Sequence, residues 1–115
     1  MAQSDQVSIQ IPKSRWNEGS AFIATAYFRL RSTAAAATPT NVRYRIDNLS
    51  TRTELAGWTT VSAASNISIA ITATHNAIQN NASKTERLQL TVAADHDLAT
   101  QHRETKEWTI TNPVS

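Results

Sequence analysis

Cysteine is absent from this 115-residue chain, and glycine occurs only twice. Without cysteine, no disulfide, thiolate metal site or thiol nucleophile is possible. The scarcity of glycine argues against a glycine-rich phosphate loop and against a flexible linker. No stretch approaches the roughly 20 apolar residues of a membrane-spanning helix, and the first residues include no apolar run of signal-peptide length. We therefore expect a soluble protein that is made without the secretion machinery.

Charge is also sparse, since charged residues form 17% of the chain and the formal net charge is +2. Arg29 and Arg31 are spaced to share one strand face beside Tyr27, and Arg43 and Arg45 are spaced to share another. Basic residues next to an aromatic ring can bind phosphates and stack a base. Because we expect the two pairs in different sheets, they would not form one patch, and we expect no nucleic-acid partner.

Apolar residues recur at every second position through most of the chain, which is the period of a strand with one buried face. The two clearest ladders are Ile67, Ile69 and Ile71, and then Leu88, Leu90 and Val92. A polar segment joins them and is predicted to contain a short helical turn near residues 75–80. Similar alternation predicts five further strands, over 7–11, 21–32, 41–47, 54–61 and 103–111, with a loop at 13–20.

Seven strands in one domain predict an all-β fold of two packed sheets. The chain order and the crossover between the ladders favour an immunoglobulin- or fibronectin-III-like sandwich, with the first, second and fifth strands in one sheet. A jelly roll, which usually has about eight strands, is the alternative. We assign residues 7–112 to the sandwich, 1–6 to a flexible N-terminal arm and 113–115 to a C-terminal tail. The residues expected to hold the sheets together are Phe28, Tyr44, Trp58, Leu90 and Trp108.

No arrangement of residues predicts catalysis. Serine and threonine are plentiful, but none occurs in a nucleophile-elbow motif, and no dinucleotide or P-loop fingerprint is present. His75, His96 and His102 all fall in or beside expected loops. The run Asp95-His96-Asp97 followed by His102 matches no zinc or calcium spacing. We therefore expect no enzymatic activity, no cofactor and no metal site.

The run VRYRIDNLSTRTELAGWTTVS, the isoleucine ladder, the segment NAIQN…ERLQLTVAAD and the last strand EWTITN resemble small immunoglobulin-like structural proteins of tailed bacteriophages. The resemblance covers about residues 41–112 and includes no catalytic or ligand motif. It implies a non-enzymatic virion protein, as capsid decoration, neck or collar, or tail-associated module, assembled in the cytoplasm of the bacterial host. The implied partners are other virion proteins and copies of the chain itself, with no membrane.

A carbohydrate-binding or adhesion module is the alternative function, since exposed tryptophans can pack against sugars. Trp16 is the tryptophan expected at the surface, whereas Trp58 and Trp108 are expected in the core. The outward positions of the ladders are small or uncharged, which predicts that a neighbouring subunit covers them; they are Ser68, Ala70, Thr72, Gln89, Thr91 and Ala93. The residues expected at an interface are Arg15, Trp16, Tyr27, Arg29, Arg31, Thr72 and Thr91.

Overall fold

The computed structural model describes residues 6–29, 39, 41–78, 84–95 and 101–111. These residues form eight strands: β1 (Gln6–Gln10), β2 (Arg15–Asn17), β3 (Phe22–Arg29), β4 (Asn41–Asn48), β5 (Thr53–Val61), β6 (Asn66–Ile71), β7 (Thr85–Asp95) and β8 (Gln101–Thr111). One sheet has the order β1-β3-β6, and the other has the order β2-β8-β7-β4-β5. The predicted all-β fold of two sheets is confirmed.

The described residues contain one strand more than the seven predicted. β2 lies in the segment predicted as a loop and pairs in parallel with β8, so that Trp16 is opposite Ile110. Three residues are too few to show an alternating pattern, so the pattern does not predict this strand. The other seven strands are divided between the sheets as predicted. The helical turn near residues 75–80 is not confirmed: residues 73–76 form turns, and 79 and 80 lie outside the described residues.

The apolar faces of the two sheets form the core. The three-stranded sheet contributes Val7, Ile9, Phe22, Ala24, Ala26, Phe28, Ile67, Ile69 and Ile71, and the five-stranded sheet contributes Val42, Ile46, Leu88, Leu90, Val92, Ala94, Trp108 and Ile110. Of the residues predicted to join the sheets, Phe28, Leu90 and Trp108 are buried, and Tyr44 is partly buried against the core. Trp58 is 41% exposed, so its predicted burial is wrong.

Buried aromatic and amide groups close one end of the core. The Phe22 ring stacks on Trp16, with centroids 4.4 Å apart, and meets Trp108 edge-on at 5.3 Å. Trp108 Nε1 donates a hydrogen bond of 2.8 Å to Asn76 Oδ1. Asn76 is fully buried, and its Nδ2 donates a bond of 2.7 Å to Ser20 O. The turn after β6 is thereby attached to β8 by a buried hydrogen bond and to the segment before β3 by a partly buried one.

A second buried polar pair joins β4 to β7. Asn48 is fully buried and Glu86 is 1% exposed. Asn48 Nδ2 donates to Glu86 Oε1 at 3.0 Å, and Asn48 Oδ1 accepts a bond of 3.0 Å from Thr51 N. The second bond holds the turn between β4 and β5, in which Arg52 has a left-handed φ of 57°. Glu86 shares the two-residue spacing of Leu88, Leu90 and Val92, and the hydrogen bond from Asn48 allows a carboxylate to occupy that buried position.

His75 is expected to make the stability of the turn after β6 depend on pH. Its Nδ1 accepts a bond of 3.1 Å from Thr72 N, which requires an unprotonated Nδ1, and partial burial lowers the pKa of His75 below its ordinary value. The contribution to stability is therefore present above the unfolded-state pKa of about 6.5 and is lost as the pH falls through the lower folded-state pKa. We expect the urea midpoint to fall on acidification through this window, and to fall less in His75→Gln. Equal pH profiles for the two proteins would contradict this assignment.

Candidate binding surfaces on the outward faces of the two sheets

The residues predicted at an interface do not converge on one site. Arg15 and Trp16 lie on the edge strand β2. Tyr27 and Arg29 belong to β3, and Thr72 follows β6, so these three belong to the three-stranded sheet. Thr91 is in β7, between Arg45 of β4 and Thr105 of β8 in the five-stranded sheet. Arg31 lies outside the described residues.

Trp16 is held from both sides of its indole ring. One side stacks on Phe22 at an interplanar angle of 7°, and the Nζ of Lys13 lies 4.5 Å from the ring centroid. Trp16 Nε1 donates a bond of 2.9 Å to Lys13 O. The ring is only partly exposed and is packed against the core, beside a shallow depression of about 220 Å³. A ring packed in this way fills space beside the core and leaves no open face on which a sugar could pack.

The outward face of the three-stranded sheet is uncharged at every position whose side chain the structure describes. These positions are Ser8, Gln10, Ile23, Thr25, Tyr27, Asn66, Ser68 and Ala70. Thr72 follows at the end of β6, where its Oγ1 accepts a bond of 3.3 Å from His75 N. Exposed sheets usually include charged residues that prevent association. Ser68 and Ala70 of β6 are exposed on this face, as the alternating pattern predicts.

Ile23 is the most prominent apolar side chain on this face, at 51% exposed. On one side of it lies a shallow apolar depression of about 350 Å³, lined by Ala21, Phe22, Ile23, Ala70, Ile71, Thr72 and Ala73. On the other side lies a depression of about 230 Å³, lined by Gln10, Ile11, Pro12, Ile23 and Thr25. β6, which borders the first depression, is an edge strand of sequence NISIAI without charge or proline.

The outward face of the five-stranded sheet has a different character, because Trp58 lies on it among three arginines. The guanidinium carbons of Arg43, Arg45 and Arg103 are 5.3, 5.7 and 5.4 Å from the Trp58 ring centroid. β5 is irregular at this point, with shifts in its pairing to β4 between Tyr44 and Ile46. The strand therefore has a bulge near Gly57, which accompanies the outward placement of Trp58.

Arg45 forms ion pairs with two carboxylates on this face. Its guanidinium makes a bidentate contact with Asp47, at 2.9 and 2.7 Å, and Nη2 also donates to Glu54 Oε2 at 3.1 Å. The hydrogen bond that Arg45 donates to Asp47, together with the negative charges of Asp47 and Glu54, raises the pKa of Arg45 above its ordinary value. A Cβ at Gly57 would lie 2.8 Å from the Glu54 carboxylate, so the glycine leaves room for this ion pair.

The side chains around Trp58 cover part of the sheet surface, including Ala93. It points outward from β7, between Arg43 of β4 and Arg103 of β8 in the register, and yet it is fully buried. A methyl group on an outward face is buried when longer neighbouring side chains lie across it, and Trp58 contacts both flanking arginines. The chain's own side chains therefore cover the outward position of Ala93 that the sequence analysis assigned to a neighbouring subunit.

In the described part of the chain, no group of three or more His, Asp or Glu side chains is placed to hold a metal ion. His96 lies outside this part, and the His102 side chain is not described, so the Asp95-His96-Asp97 segment stays untested. The described part of the chain includes no helix that is long and apolar enough to cross a membrane.

Comparison with known proteins supports the fold and does not indicate a function. No family model matches the chain, and no curated protein sequence matches it. A search of solved structures finds the Yersinia pseudotuberculosis adhesin InvE, with 11% sequence identity and a TM-score of 0.54. The match covers 91% of this chain and 32% of the adhesin structure, so the chain spans about a third of that protein's length. At this identity the likeness concerns the fold alone.

Proposed function

We propose that this chain is a non-enzymatic binding module with an immunoglobulin-like sandwich, and that it attaches to other proteins within a tailed-phage virion. The strand order supports the immunoglobulin-like type, since β1, β3 and β6 form one sheet and β4, β5, β7 and β8 belong to the other. The observation that carries the binding role is the outward face of the three-stranded sheet, which is uncharged over the side chains that the structure describes and has Ile23 half exposed on its central strand.

The chemistry of this face favours a protein partner. Ile23 and the alanines beside it offer apolar area in two shallow depressions, while the neighbouring serine, threonine and glutamine side chains can form hydrogen bonds at a rim. The edge strand β6 adds unpaired main-chain groups that can extend a sheet into a partner. A contact of this size is weak alone, but many copies on one particle give strong total attachment.

Replacing Ile23 by lysine tests the proposal, because a charge placed between the two depressions would have to be desolvated at an interface. We expect the purified chain to migrate with virions of its source phage in a density gradient, and Ile23→Lys to migrate mainly as free protein. Ile23 is 51% exposed in the chain alone, so the variant should retain the unfolding temperature of the parent to within a few degrees.

The matched control is Ala64→Lys, which adds the same charge at an exposed position between β5 and β6. It should migrate with particles as the parent does. Migration of Ile23→Lys with particles at the parent level would contradict the assignment of this face. Absence of the parent chain from particles would contradict the virion role itself.

An adhesion or carbohydrate-binding module is the second candidate, and the fold likeness to a bacterial adhesin favours it. Trp16 is packed between Phe22 and Lys13, and Trp58 has three guanidinium groups near its ring, but Trp58 is 41% exposed and is therefore the tryptophan more accessible to a ligand. A glycan array probed with the parent chain and with Trp16→Ala and Trp58→Ala separates the two tryptophans. Glycan binding that is lost only in Trp58→Ala would support adhesion.

A further inference from the structure

The edge strand β6 lacks the features that usually prevent an edge from pairing with another chain, which are short length, proline, charge and irregular pairing. The other three edge strands each have one: β2 has three residues, β1 is followed by Pro12, and β5 contains Glu54 and pairs irregularly with β4. β6 has six residues, none charged and none proline, and among the described residues it is paired only to β3.

We propose that β6 pairs in the antiparallel direction with β6 of a second copy of this chain. The pairing rests on the binding role proposed above for the three-stranded sheet. It gives the edge of that sheet a partner, while the Ile23 face stays available to another protein.

The main-chain groups of β6 that face away from β3 belong to Asn66, Ser68 and Ala70. Phe28 N donates a bond of 2.9 Å to Ser65 O, and the residues that bond the neighbouring strand alternate along an antiparallel pair. The isoleucines of β6 therefore bond β3 through their main chain. The three residues that alternate with them direct their N–H and C=O groups towards the unpaired side of the strand.

This free edge ends at Ala70, because the turn after β6 uses the main chain of Thr72. Thr72 N donates to His75 Nδ1 at 3.1 Å, and Thr72 O accepts a bond of 3.2 Å from Asn76 N. The symmetric pairing that uses all three free residues is therefore centred on Ser68, which lies opposite Ser68 of the second copy. Each pair in this register exchanges both of its N–H···O bonds.

The side chains of β6 suit this register on both faces of the sheet. On the outward face, Asn66 lies opposite Ala70 of the second copy, and the two serines meet at the centre. On the core face, Ile67 lies opposite Ile69 of the second copy, and apolar cross-strand neighbours of this kind pack against each other. Because β6 has no charged side chain, two copies meet there without like-charge repulsion, although the chain has a net charge of +2.

The size of the contact predicts a weak dimer. A strand of six residues is about 20 Å long. An edge contact of this length buries less than the roughly 800 Å² per partner of a standard interface. We expect a dissociation constant on the order of 100 µM. A weak symmetric contact suits a module that is present in many copies, since several such contacts together give strong attachment.

Sedimentation equilibrium of the full chain tests the pairing at Ser68. We expect the parent to dimerise, and the dissociation constant to be raised about tenfold or more in Ser68→Lys and in Ser68→Glu, because each variant alone places like charges opposite each other. An equal mixture of the two variants should dimerise at least as well as the parent, since opposite charges then meet at the centre of the contact. Ser8→Lys is the matched control, because Ser8 is exposed on the same outward face but belongs to β1. It should dimerise as the parent does.

Three outcomes would overturn the proposal: a parent chain that stays monomeric at millimolar concentration, a Ser68→Lys variant that dimerises as the parent does, or an equal mixture that stays monomeric. Ile23→Lys should dimerise as the parent does, and dimers lost in that variant but kept in Ser68→Lys would also contradict pairing through β6. Dimerisation is measured without virions, so failure of the β6 pairing is distinguishable from failure of the Ile23 face to attach to particles. Ser68 is exposed, and each variant should therefore unfold within a few degrees of the parent.

Discussion

Replacing Trp108 by alanine is expected to lower the free energy of unfolding by about 4 kcal/mol. The side chain is 2% exposed, meets Phe22 edge-on and donates its Nε1 hydrogen to the buried Asn76. The substitution removes this packing and leaves a buried amide oxygen without its donor. Since small domains have total stabilities of about 5–15 kcal/mol, the loss is large enough to populate unfolded chains. Urea unfolding followed by circular dichroism measures it.

Trp108→Phe separates the lost packing from the lost hydrogen bond. It keeps an aromatic ring against Phe22 but removes the donor to Asn76 Oδ1, so we expect a smaller loss of about 1–3 kcal/mol. Trp58→Ala is the control, because it makes the same change at a tryptophan that is 41% exposed and is expected to cost about 1 kcal/mol. A Trp58→Ala effect equal to that of Trp108→Ala would show that exposure does not distinguish the two residues.

The second large effect is expected at Asn48. Asn48→Leu removes the donor to Glu86 and the acceptor of Thr51 N, both within buried or half-buried surroundings. A carboxylate that remains buried after the loss of one of its hydrogen-bond donors is costly, and we expect a decrease in stability of about 3 kcal/mol. Guanidinium chloride unfolding, monitored by tryptophan fluorescence, gives the value.

A double-mutant cycle with Glu86→Leu tests the cause. Once the carboxylate is absent, Asn48→Leu no longer leaves it short of a donor, so the double variant should be more stable than the sum of the single effects predicts. The expected coupling exceeds about 0.5 kcal/mol, which is the scatter of additive pairs. Additive effects within that scatter would mean that the Asn48–Glu86 bond is not what stabilises the β4–β7 pairing.

Local pattern predicted most of the fold. The ladders Ile67–Ile69–Ile71 and Leu88–Leu90–Val92 face the core as expected, because the side-chain period of a strand is set within the strand itself. The same pattern identified the buried face of β3 and the outward placement of Arg43 and Arg45. It failed for β2, where three residues take their conformation from parallel pairing with β8. It does place Glu86 on the face of Leu88, Leu90 and Val92, but the charge of Glu86 argues against burial, which depends on the hydrogen bond from Asn48 on another strand.

The sequence predicted the residues of the candidate sites less well than it predicted the fold. Trp58 was expected in the core because large aromatic residues in strands usually are buried. Its actual side of the sheet depends on the irregular pairing around Gly57, which a pattern of alternating residues does not reveal. Arg103 meets Trp58 only because β7 lies between β8 and β4, and no feature of the chain near residue 103 indicates this contact.

By itself, the sequence determined the all-β class, the strands that alternate and the residues that face the core, because each of these follows from the two-residue period and from turn chemistry within a few positions. Tertiary structure alone decided which residues share each outward surface. The order of strands in each sheet places Arg43, Arg103 and Trp58 together on one face and leaves Ile23 between two depressions on the other. Such surfaces join residues far apart in the chain, and their register is fixed only when the sheets form.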